Sequence, residues 1–260
     1  MSEETDHQPE PDALQRAEEH ARQLTLELAS VNQELDSLCY AVSHDLRAPL
    51  RAVDGFAHIV AEEHSAQLDE EGRRMFDLIQ REILRMNHLM DGLLIFSRLG
   101  RQKMEMAQID MHALAQSVFD EWAARSPERN LHLDLHPLPP AIGDLPMMRQ
   151  VWRYLIDNAI KFTQGRNPAE IEIGTRTGEA GELVYYIKDN GVGFDMRLAG
   201  KLFGIFQRFH GEGEFPGVAS VGLGLALVQR IIHRHGGRVW AESEVNAGAT
   251  FFFTLPQPLP

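Results

Sequence analysis

The segment Ser43-His44-Asp45-Leu46-Arg47-Ala48-Pro49-Leu50 brings an imidazole, a carboxylate and a proline within about two helical turns. Imidazole is a competent nucleophile near neutral pH, and an adjoining carboxylate can orient it or take its proton. Pro49 has no N–H, and its ring meets the carbonyl of residue 45, so it bends a helix there. The same pattern also suits a solvated surface histidine beside a chance proline.

Three further clusters could do chemistry. In Tyr154-Leu155-Ile156-Asp157-Asn158-Ala159-Ile160-Lys161-Phe162, Asn158 and Lys161 are three apart and share a helix face. A neutral carbonyl oxygen suits Mg²⁺ and an ammonium suits phosphate, although polar residues on a helix are usually just its wet side. In Asp189-Asn190-Gly191-Val192-Gly193-Phe194, an Asp at a strand end can accept from an exocyclic amine. Gly191 and Gly193 would let the backbone approach a flat ligand, or simply turn a hairpin. In Val221-Gly222-Leu223-Gly224-Leu225-Ala226, Gly222 and Gly224 open a helix whose free N–H groups and dipole could receive phosphate. This is neither the dinucleotide nor the P-loop fingerprint.

An apolar seam must position the first cluster. Leu14, Ala17, Ala21, Leu24, Leu28, Val31, Leu35, Leu38 and Val42 alternate steps of three and four, a heptad repeat. From Leu38 through Val42 and Leu46 to Leu50 every step is four, a stutter that locally unwinds a coiled coil. His44 then lies about 200° around the helix from the seam, facing water. A turn is expected over His64–Gly72, followed by a second run in Phe76, Ile79, Ile83, Met86, Met90 and Leu93. Two such helices form an antiparallel hairpin. The seam needs a partner, from its own chain or a second copy, and we expect self-association into a dimeric four-helix bundle.

Beyond a polar break at Gly100–Lys103, helix and strand patterns mix. Helices are expected at Met111–Trp122, Met147–Phe162 and Leu223–His235. Strands are expected at Leu131–Leu135, Ile171–Thr177, Leu183–Lys188, Arg238–Glu242 and Thr250–Leu255. The fold class is therefore multidomain: an all-α coiled coil and helical hairpin followed by an α/β sandwich. The expected divisions are a disordered tail (1–12), a coiled-coil signalling helix (13–38), a helical hairpin (39–100) and the sandwich (104–260).

Composition narrows the function. The 260 residues carry 25 Lys plus Arg against 38 Asp plus Glu, a net charge of −13. That argues against nucleic acid or an anionic membrane as main partner. One cysteine excludes an internal disulfide framework and fits a reducing compartment. No apolar run approaches the roughly 20 residues of a membrane helix, and the acidic start MSEETDHQPEPD is no secretory signal. A soluble, cytoplasmic protein is expected. Trp152, Trp240 and Phe251-Phe252-Phe253 read as core filling, Cys39 as a small core hydrophobe. His233 and His235, two apart on a helix, do not converge on a metal.

In this order and spacing, the four clusters resemble the H, N, G1 and G2 boxes of sensor histidine kinases. Lys201-Leu202-Phe203-Gly204-Ile205-Phe206 resembles their F box, and Gly248-Ala249-Thr250-Phe251 their closing glycine motif. Phe206-Gln207-Arg208-Phe209-His210 and Ile231-Ile232-His233-Arg234-His235-Gly236-Gly237 are most similar to the kinase modules that end bacterial phytochromes. The resemblance runs from about residue 36 to 256. It implies an ATP-dependent, homodimeric protein-histidine kinase with a gyrase-like ATP-binding domain. His44 would be the phosphoacceptor, Asp45 its general base or orienter. Asp189 would hold the adenine amine, Asn158 a Mg²⁺, Lys161 the phosphates, and Gly191, Gly193, Gly222 and Gly224 the nucleotide. Phe203, Phe206 and the stretch from His210 to Gly224 would belong to a lid. The partners implied are an upstream sensor domain or protein and the receiver domain of a response regulator, whose aspartate takes the phosphoryl group.

Three positions depart from the family pattern. Tyr154 stands where a second Asn is usual and related ATPases carry a hydrolytic Glu, which argues against a dedicated ATPase clamp. Ser220 replaces a glycine that usually opens the G2 box. Ala48 stands where members that also dephosphorylate their regulator commonly carry Thr or Asn. A catalytically degenerate dimeric scaffold of the same fold is the alternative that Tyr154 and Ser220 raise.

Overall fold

The computed structural model describes residues 11–64, 67–179, 181–205, 207 and 222–256. The heptad seam becomes a single helix, α1 (Pro11–Ile59), running without interruption through Pro49 and across the boundary expected at residue 38. Pro11 and Asp12, assigned by composition to the tail, open this helix; the rest of the tail lies outside the described residues, as do the side chains of Leu14, Ala17 and Leu93. A π-helical turn, Val60–His64, ends α1, and α2 spans Glu70–Arg101. Gly72, expected in the turn, instead lies inside α2, where its N–H donates to the Asp69 carboxylate at 2.7 Å.

Leu50, Ala57, Ile83 and Met90 are buried against one another with Phe76 beside them. Leu46, Val53, Ile79 and Met86, with Leu50 and Ile83 beside them, line an apolar cleft of about 530 Å³ between the helices. Further up α1, Leu24, Leu28, Val31, Leu35, Leu38 and Val42 are 43–67% exposed. Burying one such side chain contributes roughly 1.5–3 kcal/mol, so a seam of this length strongly favours a second helical surface.

The rest of the chain is the α/β unit. It comprises β1 (Met106–Ile109), α3 (Met111–Ala123), β2 (Leu131–Leu135), β3 (Ala141–Asp144), α4 (Leu145–Phe162), β4 (Ala169–Thr177) and β5 (Leu183–Asp189). A 3₁₀ helix (Met196–Lys201), α5 (Gly224–Arg234), β6 (Val239–Glu244) and β7 (Gly248–Thr254) complete it. Five strands form a sheet in the order β2-β4-β5-β7-β6, parallel between β2 and β4 and antiparallel elsewhere. β1 and β3 pair separately.

Residues 147, 148, 151, 152, 155, 156, 159 and 160 of α4 are all buried, the broad apolar face of a helix laid on a sheet. Trp152 meets Phe253 edge-on at 5.3 Å, and Tyr185 stacks on Phe253 at 5.2 Å while donating its hydroxyl to the Pro139 carbonyl. The Phe251–Phe253 run is core as expected. Trp240 is not: it is half-buried, stacked on Phe252 at 5.3 Å, with the Arg238 guanidinium 4.4 Å above it. Cys39 is likewise only half-buried.

Side-chain caps fix the helix starts. Asp110 accepts from Ala113 N–H for α3, and Asp144 accepts from Met147 N–H for α4. Buried His235 locks α5 to β3: its Nε2 accepts from Asp144 N–H at 3.0 Å, and its Nδ1 lies 2.8 Å from the Ile231 carbonyl.

The hairpin and the α/β unit meet along α2 and α5. Leu99 is only 2% exposed within the α/β core, with Ile95 and Phe96 packed beside it. The Arg230 guanidinium lies 4.1 Å over the Phe96 ring, and Arg234 donates to the carbonyls of Leu99 and Gln102. At Gly92 a Cβ would run into Leu223, so only glycine leaves room for that side chain.

Candidate active site

His44 stands on the outside of α1, as its offset from the seam requires. Its side chain is 70% exposed and that of Asp45 82%. Nδ1 of His44 lies 3.2 Å from Asp45 Oδ1. Donation from Nδ1–H to this carboxylate selects the tautomer whose Nε2 lone pair is open. Tyr40, one turn earlier, lies nearly parallel to the imidazole with centroids 6.5 Å apart. Ser43, fully buried, returns its hydroxyl to the Cys39 carbonyl at 2.7 Å. Pro49 cannot donate to the Asp45 carbonyl. Arg47 reaches across the hairpin to Asp91 at 2.9 Å.

The second constellation lines the end of β5, one flank of α4 and the start of α5. Asp189 is the last residue of β5 and only 4% exposed. Its Oδ1 accepts from Gly191 N–H at 2.9 Å. Burial pushes its carboxyl up to about 6 despite opposing hydrogen bonds from the Gly191 and Ala249 backbones. Gly193 has φ +60°, and a Cβ there would collide with the Glu244 carbonyl, so both conformation and space demand glycine. Gly222, φ +68°, precedes α5. The N-cap of α5, Leu223, has no side-chain cap among the described residues, and the first N–H groups of a helix start can receive an anion.

On α4, Tyr154, Asn158 and Lys161 fall within about 60° of arc, along the edge of the buried face. Asn158 is half-buried, and no hydrogen bond engages its amide among the described residues. Lys161 is 7% exposed with Nζ 4.8 Å over the Phe162 ring. Asp157 beside it is held above the ordinary carboxyl range by burial, with Lys161 and Arg153 opposing. Phe203 is half-buried against the α/β core. Phe206, Ser220 and most of the expected lid, residues 210–221, lie outside the described residues.

No group of three or more His, Cys, Asp or Glu able to hold a metal occurs among the described residues. A single neutral amide oxygen suits a hard cation such as Mg²⁺ that takes its other ligands from phosphates and water. Asn158 fits as that oxygen.

Sequence reasoning missed Arg166. Its guanidinium donates to the carbonyls of Gly191 at 3.1 Å and Asn246 at 2.6 Å, while Val192 N–H donates to Phe162 O. These bonds hold the glycine loop against α4. An arginine in a polar loop carries no signal of such a role.

Among the described residues no hydrogen bond, ion pair or ring contact joins His44 to the second constellation. The two are linked through α2: Leu223, between Gly222 and Gly224, sits at Gly92, next to the Asp91 that holds Arg47.

Comparison with known proteins covers both constellations. Residues 34–102 match the His Kinase A (phospho-acceptor) domain. Residues 143–259 match the family described as histidine kinase-, DNA gyrase B-, and HSP90-like ATPase. Cyanobacterial phytochrome B of Nostoc sp. is 35% identical over 93% of this chain and 32% of its own length. The methanogenesis regulatory histidine kinase FilI of Methanothrix harundinacea is 33% identical over 94% of this chain and 27% of its own. The chain thus spans about a third of the length of these relatives. Full-length ShkA, solved in complex with AMPPNP, shares the fold with a TM-score of 0.60 at 24% identity, over 85% of this chain and 45% of that one.

Proposed function

The chain carries the two domains of a histidine kinase transmitter module, and from that premise we propose that it phosphorylates His44 from ATP and passes the phosphoryl group to an aspartate of a response-regulator receiver domain. The observation that carries this reading is the exposed His44, its Nδ1 beside the Asp45 carboxylate and its Nε2 open to solvent. Nε2 attacks the terminal phosphorus of ATP, the bond to the bridging oxygen breaks, and ADP leaves. The Nδ1 proton moves toward Asp45 Oδ1 as the ring gains positive charge. Asp189 accepts from the adenine amine, and Lys161 and the open N–H groups of α5 meet the phosphates. Asn158 would hold part of a Mg²⁺ coordination shell, and the cation, when bound, would supply charge neutralisation for the transferring group. Most of this work is positioning and electrostatics. No observation favours the degenerate scaffold.

The test is incubation of the protein with terminally labelled ATP and Mg²⁺. Acid-labile, alkali-stable label on the protein is expected. Bound ATP without label would indicate a scaffold, and release of phosphate alone an ATPase.

The functional unit is proposed to be a homodimer, joined through the cleft rimmed by Leu46, Val53, Ile79 and Met86 and through the exposed seam. Met86→Glu combined with Ile79→Glu places charge in that cleft and should convert the dimer to monomers by light scattering, with nucleotide binding intact. A dimer of unchanged mass would remove the cleft from the interface. The seam of α1 is proposed to carry the signal of an upstream sensor domain or protein into the bundle. No helix among the described residues is long and apolar enough to cross a membrane, and a cytoplasmic site of action, where ATP and receiver domains meet, goes with the reading.

Ala48 lies one turn beyond His44 on the same face and is exposed. Its methyl group cannot hold a water for attack on a phosphoaspartate. The protein is therefore expected to have weak or absent phosphatase activity, so that with nucleotide washed out a purified phosphorylated regulator loses its phosphoryl group mainly by back-transfer to His44 or by its own hydrolysis, and Ala48→Thr should accelerate the loss. Marked acceleration by His44→Gln, which cannot take the phosphoryl group back, would show a phosphatase built from other groups.

A further inference from the structure

Tyr154 stands apart in the cleft. It shares the flank of α4 with Asn158, one turn on, and Lys161, two turns on. Its ring lies against the first residue of α5: a Cβ on Gly224 would sit 3.2 Å from Tyr154 Cδ1 and 3.6 Å from Cγ. The tyrosine is half-buried in the edge of the core, yet no hydrogen bond engages its hydroxyl among the described residues. The adjoining α5 start has no side-chain cap among the described residues. A phenol with no hydrogen-bond partner among the described residues thus belongs to a ring packed against the start of α5, on the flank of α4 that also carries Asn158. Burial, with Asp157 adding, holds the phenol above its ordinary range. It remains a neutral O–H at physiological pH, a good donor and a poor metal ligand.

We propose that Tyr154 is a positioning residue of the nucleotide cleft, its ring walling the start of α5 and its phenolic O–H donating a hydrogen bond to a terminal phosphate oxygen of ATP. The inference rests on the nucleotide-binding reading above and deepens it. A side chain at position 154 that ligated the cation would secure the phosphate through the metal. Tyr154 secures it directly, so discrimination between ATP and ADP persists when the metal is removed.

The test measures binding of ATP and ADP to the full chain by calorimetry, in Mg²⁺ and in EDTA, for the wild type, Tyr154→Phe and Tyr154→Asn. A hydrogen bond to a charged oxygen is worth about a tenfold change in affinity. Tyr154→Phe keeps the ring and should bind ATP about tenfold more weakly under both conditions, with ADP affinity and melting temperature unchanged. Tyr154→Asn should recover ATP affinity in Mg²⁺ and stay weak in EDTA, a steeper dependence on metal. Tyr154→Phe binding ATP as tightly as the wild type, or losing ATP and ADP affinity equally, would overturn the proposal and leave Tyr154 a wall. Wild type that binds neither nucleotide would instead overturn the reading on which the proposal rests.

Discussion

His44→Gln should reduce phosphoryl label on the protein to background while leaving nucleotide affinity, oligomeric state and melting temperature as they are. The expectation of complete loss follows from chemistry: the amide has no nucleophilic lone pair comparable to that of the imidazole, so the covalent bond cannot form. The expectation that all else survives follows from exposure. With 70% of the side chain in solvent and Asp45 and Tyr40 its only partners among the described residues, the substitution removes little packing, and surface changes of this kind stay within about 0.5 kcal/mol. Asp45→Asn separates the two halves of the site. It keeps the nucleophile but removes the carboxylate that takes the Nδ1 proton, so labelling should proceed to the same extent at a rate lower by about 10²-fold or more. Label persisting in His44→Gln would assign the phosphoacceptor elsewhere.

Much of this site could be read from the sequence because its parts are local. His44, Asp45 and Pro49 lie within two turns of one helix, and the offset of His44 from the seam gave its exposure directly. Asp189 and the glycines after it are contiguous, and the alternation of the strand before them placed Asp189 at its end. Long-range partners were not legible. Arg166 acts on Gly191 and Asn246, 25 and 80 residues away, and His235 acts on Asp144, 91 residues away. Neither pairing leaves a periodic trace. β1 and β3, four residues each, are too short for alternation to register. Gly72 entered α2 because Asp69 supplied a cap, a local bond that outweighs the intrinsic cost of glycine in a helix. Trp240 departs from the core expectation because apolar identity does not say which face of a sheet is covered; the Arg238 guanidinium lies over it. The seam reads as one stripe, whereas in the hairpin Leu50 and Ala57 are buried and Leu46 and Val53 stay about half exposed at the cleft.

Asp189→Asn is expected to weaken ATP binding about a hundredfold and, at pH 7, to stabilise the nucleotide-free protein. The two effects share one cause. Burial raises the Asp189 carboxyl from the ordinary 3.8 to about 6, so between those values the folded chain holds a proton that the unfolded chain has released. Stability from this group is fully present below about pH 4 and is lost as pH rises through about 6. At 1.36 kcal/mol per unit, the folded protein at neutral pH carries a penalty of at most about 3 kcal/mol for keeping this charge buried. Asparagine removes the charge and can still accept from Gly191 N–H, so its melting temperature should exceed that of the wild type at pH 7 and match it near pH 4. Nucleotide binding runs the other way. The adenine amine donates, and only the carboxylate offers both oxygens as acceptors; the amide turns a donor toward a donor. ATP affinity of the wild type should therefore be flat above about pH 7 and fall as protons compete below about 6, approaching tenfold per unit, whereas that of Asp189→Asn should be weak throughout and show no such step. Calorimetric binding and thermal melts between pH 5 and 8 would measure both. A variant that melts lower than the wild type at neutral pH would show that the carboxylate is stabilised by groups outside the Gly191 and Ala249 backbones. A variant that binds ATP normally would take the adenine away from β5 altogether.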